Sequence, residues 1–221
     1  AGNGPDVILG AHDWIGQLVA NGAIEPLTIS KSDLSGFNQT AVDAVTYEGQ
    51  LYALPYGIES LLMYCNTDYA PDTYATLEDL LAAGQAAKDA GKVKLELAMP
   101  QGVTGDPYNM QPYYTSAGGY LFGKSADGSL NPEDLGVGTD AGIKAAEKIA
   151  TLGDKGSKVF STSVTNDNVV SLFTSGDAAC LSSGPWALPD IQKSDVKCEL
   201  LLRRLERQEQ GLRHGLRDLH L

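Results

Sequence analysis

The sequence predicts an α/β protein built on a parallel or mixed sheet, with ligand-carrying loops along one edge of it. Two observations point there. Short apolar runs bounded by Pro and Gly alternate with stretches of helical period, and several of those runs lead straight into loops that hold aromatic and acidic side chains. At 221 residues with 43% apolar content, the chain is long enough to bury a core as one large or two small domains.

The first run is Val7, Ile8 and Leu9, bounded by Pro5 and Gly10, which reads as a central parallel strand. The loop after it carries Asp13 and Trp14, at the place where open α/β sheets hold ligands. From Trp14 to Ala23 the apolar positions Ile15, Leu18, Val19 and Ala23 are spaced as in a helix. Leu51 to Gly57 is expected to be extended, and Ser60 to Cys65 to form a second extended segment. Thr76 reads as the N-cap of a helix with acidic residues in its first turn, ending at Gly91. Val93 to Met99 alternates like a strand. A helix from about Thr139 to Leu152 is expected to carry Ile143, Ala146, Ile149 and Ala150 on one face, and another to run from Asn166 to Gly176. Asp177 to Ser182 then returns as a strand.

The formal net charge of −12 argues against nucleic acid or an anionic membrane as a partner, since both need a basic face. No run approaches the roughly 20 apolar residues of a membrane span. Charge is unevenly distributed. No arginine occurs before Arg203, and the first 202 residues carry 25 acidic against 11 basic side chains, whereas the last nineteen carry 3 against 5. Residues 200–221 therefore read as an Arg/Leu-rich tail. Leu201, Leu205, Leu212, Leu216 and Leu219 would suit a basic amphipathic helix, which Gly211 and Gly215 weaken. The other reading is a segment not native to the domain before it, such as the product of a reading-frame change.

Ala1 to Pro5 lacks the charged and apolar regions of a secretory signal, and the abrupt start is expected to be that of a cut piece. Cys65, Cys180 and Cys198 are odd in number and lack metal-type spacing, and the first two read as buried small hydrophobes. His12 is the one histidine before the tail, so neither a His-dependent triad nor a His-rich metal site is expected. No nucleophile elbow and no phosphate-binding glycine loop occurs. Asp13 and Glu59 could form a glycosidase pair, but acceptors for hydroxyls or plain structural groups is the favoured reading. Catalytic residues, metal ligands and cofactors are thus expected to be none.

Aromatic placement says more. Trp14, Tyr108 in the Gly102 to Tyr108 loop, and Trp186 in Ser183-Gly-Pro-Trp186 each follow an expected strand near polar groups. Such loops suit a cleft for a flat polar ligand, and they equally suit core packing.

Six stretches, in order and compatibly spaced, resemble the maltose/maltodextrin-binding protein family, the extracellular solute-binding proteins of ABC sugar importers. They are Gly2 to Asp13, Tyr47 to Pro55, Glu59 to Asp68, Ala117 to Phe122, Phe173 to Ala179 and Gly184 to Ala187, together covering roughly Ala1 to Lys197. The resemblance implies a periplasmic-binding-protein-like two-lobe fold that closes over an oligosaccharide, with the first lobe incomplete and the second largely present. Residues 1–56 would be a fragment of the first lobe, 57–61 a hinge crossing, 62–199 the second lobe and 200–221 a non-family tail. It implies sugar contacts by Asp13, Trp14, Glu59, Asp106, Tyr108 and Trp186. Trp14 stands where the family has a basic residue, and Gly10 where it has an aromatic one. A monomer that serves permease subunits from an extracellular or periplasmic position, lipid-anchored in the full-length precursor, is expected. Truncation is expected to weaken sugar binding. The alternatives are a binder of another small polar solute and a glycoside-acting enzyme using Asp13 and Glu59.

Overall fold

The computed structural model describes residues 3–30, 32–70, 74 and 76–201. The expectations for the tail beyond Leu201 lie outside the described residues. The chain divides into two compact units, Ala1–Glu59 and Ser60–Leu221.

The first unit is small. A 3₁₀ turn, His12–Trp14, leads into α1 (Ile15–Ala20), and α2 (Gln39–Ala44) follows with Asn38 capping the Thr40 N–H. A hairpin pairs β1 (Thr46–Tyr47) with β2 (Gln50–Leu51). Its two central residues, Glu48 and Gly49, both take positive φ, as a two-residue hairpin turn requires. Ile15, Ala41 and Val45 are the buried apolar side chains.

Here the structure departs from the expected opening strand. Residues 7–9 form no ladder, and Val7 is 84% exposed. A strand is defined by the neighbour that satisfies its N–H and C=O groups, and among the described residues no partner strand lies beside this run. After the Tyr52 N–H donates to the Val45 carbonyl, the extended stretch that follows joins no ladder until Leu62.

The second unit is built on one four-stranded sheet; the expected strands and helices occur in their expected order, and a helix at Pro107–Ser116, a hairpin within residues 122–135, a helix at Leu188–Lys193 and a strand at Cys198–Leu201 are present in addition. β3 (Leu62–Asn66) is followed by α3 (Leu77–Asp89), β4 (Leu95–Ala98) and α4 (Pro107–Ser116). A hairpin of β5 (Phe122–Lys124) and β6 (Leu130–Leu135) precedes α5 (Asp140–Leu152) and α6 (Val169–Thr174). Then come β7 (Ala178–Ser183), α7 (Leu188–Lys193) and β8 (Cys198–Leu201). The sheet order is β4-β7-β3-β8, with β4 parallel to β7 and β3 antiparallel to both its neighbours.

Alternation along these strands sends side chains to two faces, and both faces are covered. Cys65, Leu97, Met99 and Cys180 pack with Leu80, Tyr113 and Phe160 on one face. Tyr64, Ala98 and Leu181 pack with Val169, Phe173 and Ile191 on the other. The result is a helix, sheet, helix sandwich in which β7 is buried along its whole length.

Helix boundaries follow local chemistry. Thr76 Oγ1 accepts from the Asp79 N–H while Asp79 Oδ2 accepts from the Thr76 N–H, a reciprocal capping box. The chain leaves α3 through Gly91 at φ +68. Gly84 on this helix stands so close to β4 that a Cβ there would meet Glu96 Cα at 2.8 Å, which explains a glycine in a helix interior.

The apolar face expected of α5 is buried only in part, through Ile149, which packs against the core. Gly142 and Ala145 are buried, whereas Ile143 is exposed together with Ala146 and Ala150. Gly142 sits against the Gly136 carbonyl, where a Cβ would lie 2.3 Å from that oxygen. Close approach by Gly142 and Ala145, with Ile149 and Leu152 packed against the core on the same side, therefore sets the rotation of the helix. Cys65 and Cys180 are buried as expected, but they are joined in a disulfide rather than packed as hydrophobes. They are direct partners in the β3/β7 register with Cα atoms 4.1 Å apart.

Tyr113 gives this core a pH dependence. Burial pushes its hydroxyl up to about 12, and the nearby Ser182 hydroxyl pulls the other way without reaching hydrogen-bond geometry. The folded state then holds this proton more tightly than the unfolded chain does. Its contribution is whole below about pH 10 and is lost as pH rises towards 12. Urea titrations across that range should show a loss of about 2 kcal/mol in the wild type that Tyr113→Phe removes.

Candidate functional site

Three of the sequence-predicted site residues lie on each unit. In the first unit, Asp13 and Trp14 occupy the 3₁₀ turn that opens α1. Both are exposed, the indole at 51%. Contrary to expectation, Trp14 follows no strand, since residues 7–9 are unpaired. Glu59 is the last residue of this unit and is exposed on the unpaired stretch before β3. Among the described residues neither Asp13 nor Glu59 has a hydrogen-bond or ion-pair partner.

In the second unit, β4 and β7 run side by side in the same direction, so the loops after Ala98 and Ser183 leave from the same sheet edge. The first of these loops is held by the Gln101 and Gly102 N–H groups, which both donate to the Val164 carbonyl at 2.8 and 2.9 Å. It ends earlier than expected. Asp106 is the N-cap of α4, Pro107 its first residue, and Tyr108 lies within its first turn, 57% exposed.

Asp106 is engaged on both oxygens. Oδ1 accepts from the Asn109 N–H at 2.9 Å, and Oδ2 accepts from the side-chain amides of Asn109 at 3.0 Å and Asn166 at 3.2 Å. The carboxylate thus caps a helix and ties it to the segment before α6. A carboxylate has roughly four acceptor positions, so three protein donors leave room for a further one. Asn109 and Asn166 were not singled out by the sequence. The spacing Asp106-Pro-Tyr-Asn109 of a cap and its N3 partner was the signal for the first, and nothing local marked the second.

The second loop carries Trp186 in a 3₁₀ turn, Pro185–Ala187, with the indole 49% exposed. Its base is fixed from the core, where the buried Tyr64 hydroxyl donates to the Gly184 carbonyl at 3.0 Å. The indole lies against Gly184 itself. Beyond the carboxyl ends of the neighbouring parallel strands β4 and β7 the chain thus carries Asp106 and the half-exposed Tyr108 at the start of α4, and the half-exposed Trp186 in the 3₁₀ turn after β7. Among the described residues no group of His, Cys, Asp and Glu could hold a metal ion.

Open α/β sheets as a class hold small ligands beyond the carboxyl ends of their strands, where aromatic and acidic side chains are common. Comparison with known proteins makes the class specific. The model of the family described as bacterial extracellular solute-binding protein matches residues 1–208, and the chain belongs to that family. A galactooligosaccharide-binding protein of Bacillus subtilis (strain 168) is 31% identical over 202 residues, covering 89% of this chain and 46% of that protein. A maltodextrin-binding protein of the same organism is 32% identical over 203 residues, with the same coverage. A maltotriose-binding protein of Pyrococcus abyssi is 26% identical over 211 residues, covering 89% of this chain and 41% of that protein. The chain spans about half the length of the curated relatives it matches. Among the described residues no helix is long and apolar enough to cross a membrane.

Proposed function

We propose that the chain binds an oligosaccharide of the maltodextrin class, without chemical turnover, as part of the solute-binding component of an ABC importer. The observation that carries this reading is the pair of half-exposed aromatic residues, Tyr108 at the start of α4 next to its Asp106 cap and Trp186 in the turn after β7, both beyond the ends of neighbouring parallel strands, in a family whose similar members are named for oligosaccharides. Pyranose rings offer apolar C–H faces to aromatic rings and hydroxyls to carboxylates, so each residue type has a part in holding one. Asp13 and Trp14 are the contacts we assign to the first lobe and Glu59 to the hinge, with residues 1–56 in that lobe, 57–61 as hinge and 62–199 as second lobe. Closure of two such lobes on a sugar would present permease subunits with one favoured shape. The working position is outside the cell and the working form a monomer.

The chain spans about half the length of its relatives, and the affinity expected of these contacts alone is weak, with a dissociation constant of about 1 mM. Calorimetric titration with maltotriose and with a galactooligosaccharide should show saturable binding of at least one. Trp186→Ala should weaken it about tenfold, the loss of one stacking contact worth ~1.4 kcal/mol. Absence of saturable heat with every oligosaccharide tried, or release of reducing ends during the titration, would sink the proposal.

A further inference from the structure

Each of the two tryptophans of the chain lies over a glycine. A Cβ built on Gly184 would stand 2.1 Å from Trp186 Cζ3 and 2.2 Å from Cη2, and one built on Gly10 would stand 2.6 Å from Trp14 Cε3 and Cζ3. These separations are far inside atomic contact, so the benzenoid half of each indole fills the space a side chain would need.

The backbone at Gly184 does not itself call for glycine. Its φ of −97° and ψ of −176° are extended values open to any L-residue. The position contrasts with Gly91, Gly102 and Gly176, whose positive φ is reason enough for glycine. What requires a bare Cα at 184 is the indole two residues later.

We propose that Gly184 is a positioning residue for oligosaccharide recognition, seating the Trp186 indole against the loop backbone as a fixed platform for the C–H face of a pyranose ring. The inference rests on the oligosaccharide reading of the site. The platform is held at three points: the Tyr64 hydroxyl grips the Gly184 carbonyl, Pro185 fixes the next φ, and the ring rests on the Cα between them. A ring fixed before the ligand arrives loses little rotamer freedom on binding, and any β-carbon at 184 would lift it out of that pose. Gly10 under Trp14 repeats the device in the first unit with a different spacing.

The test has two arms. In a Trp14→Phe background Trp186 is the one indole among residues 1–221, and Gly184→Ala should alter its near-ultraviolet circular dichroism with no sugar present, while the melting temperature stays unchanged. In the full chain, calorimetry with maltotriose should show Gly184→Ala weakening binding about tenfold, and the same substitution should have no further effect when Trp186→Ala is already present. An unchanged near-ultraviolet spectrum overturns the proposal, as does an equal loss in both backgrounds. If the parent chain binds no oligosaccharide, the oligosaccharide reading fails on its own, and the spectrum still decides whether Gly184 seats the ring. Should Gly184→Ala fail to fold, the Gly184→Ala/Trp186→Ala pair replaces it: folding restored by removal of the ring supports the seat, and continued failure refutes it.

Discussion

Breaking the Cys65–Cys180 bond is expected to lower the melting temperature by roughly 10 °C. The two half-cystines are 115 residues apart in sequence and face each other in register across β3 and β7. In the chain-entropy account, closing a loop of that length removes enough freedom from the unfolded ensemble to stabilise the native state by about 3 to 5 kcal/mol. For a chain of this size each kcal/mol moves the transition by about 2–4 °C. Both residues are only 1% exposed, so a reductant must wait for the sheet to open. Scanning calorimetry of the wild type should therefore show a large reductant-dependent fall, and Cys65→Ala/Cys180→Ala should melt near the reduced wild type whether or not reductant is present. An oxidised wild type that melts with the double variant would refute the stabilising role.

The second large effect is expected at Lys88. Glu96 lies on β4 with its side chain 3% exposed, and Oε1 meets Lys88 Nζ at 3.0 Å. Oε2 is buried and has no hydrogen-bond partner among the described residues. The close approach of α3 at Gly84 roofs this carboxylate with a helix and leaves Lys88, 35% exposed, as its counter-charge. Lys88→Met would strand a buried charge, and such deletions cost about 3 kcal/mol or more. Adding Glu96→Leu should recover most of the loss, because replacing both members of a buried pair by apolar groups is often neutral. Urea midpoints of the single and double variants decide the point, since equal losses in both would mean that the pair does not act as a unit.

Much of the second unit was legible because its signals are local. Thr76 with Asp79 marks a helix start, and positive-φ glycines at 91 and 176 mark helix exits. β7 is a short run of small and apolar residues after one of them. What was missed depends on partners distant in sequence. Val7 to Leu9 has the composition of a strand, but composition does not supply a neighbour. The rotation of α5 is set in part by how closely Gly142 approaches the Gly136 carbonyl, which no periodicity encodes. The disulfide follows from a register between strands 115 residues apart, so the spacing of cysteines was silent on it. The start of α4 was available in principle, for a proline after an aspartate is a helix opening as readily as a loop. At the candidate site the exposed side chains announced themselves by type, whereas the groups that hold them, Asn109, Asn166, Tyr64 and Gly184, did not.

The position of β3 in the sheet has a consequence for how the chain matures. β3 is an inner strand, yet its neighbours β7 and β8 lie well over a hundred residues downstream. At about 5–20 residues per second, translation leaves β3 without either partner for several seconds. Its pairings are also among the most non-local a domain of this size makes, which slows folding further. The sheet cannot close on the emerging chain before β7 has been made. The disulfide that clamps β3 to β7 joins the earliest and one of the latest strands of the sheet, so it can form only after both have been made.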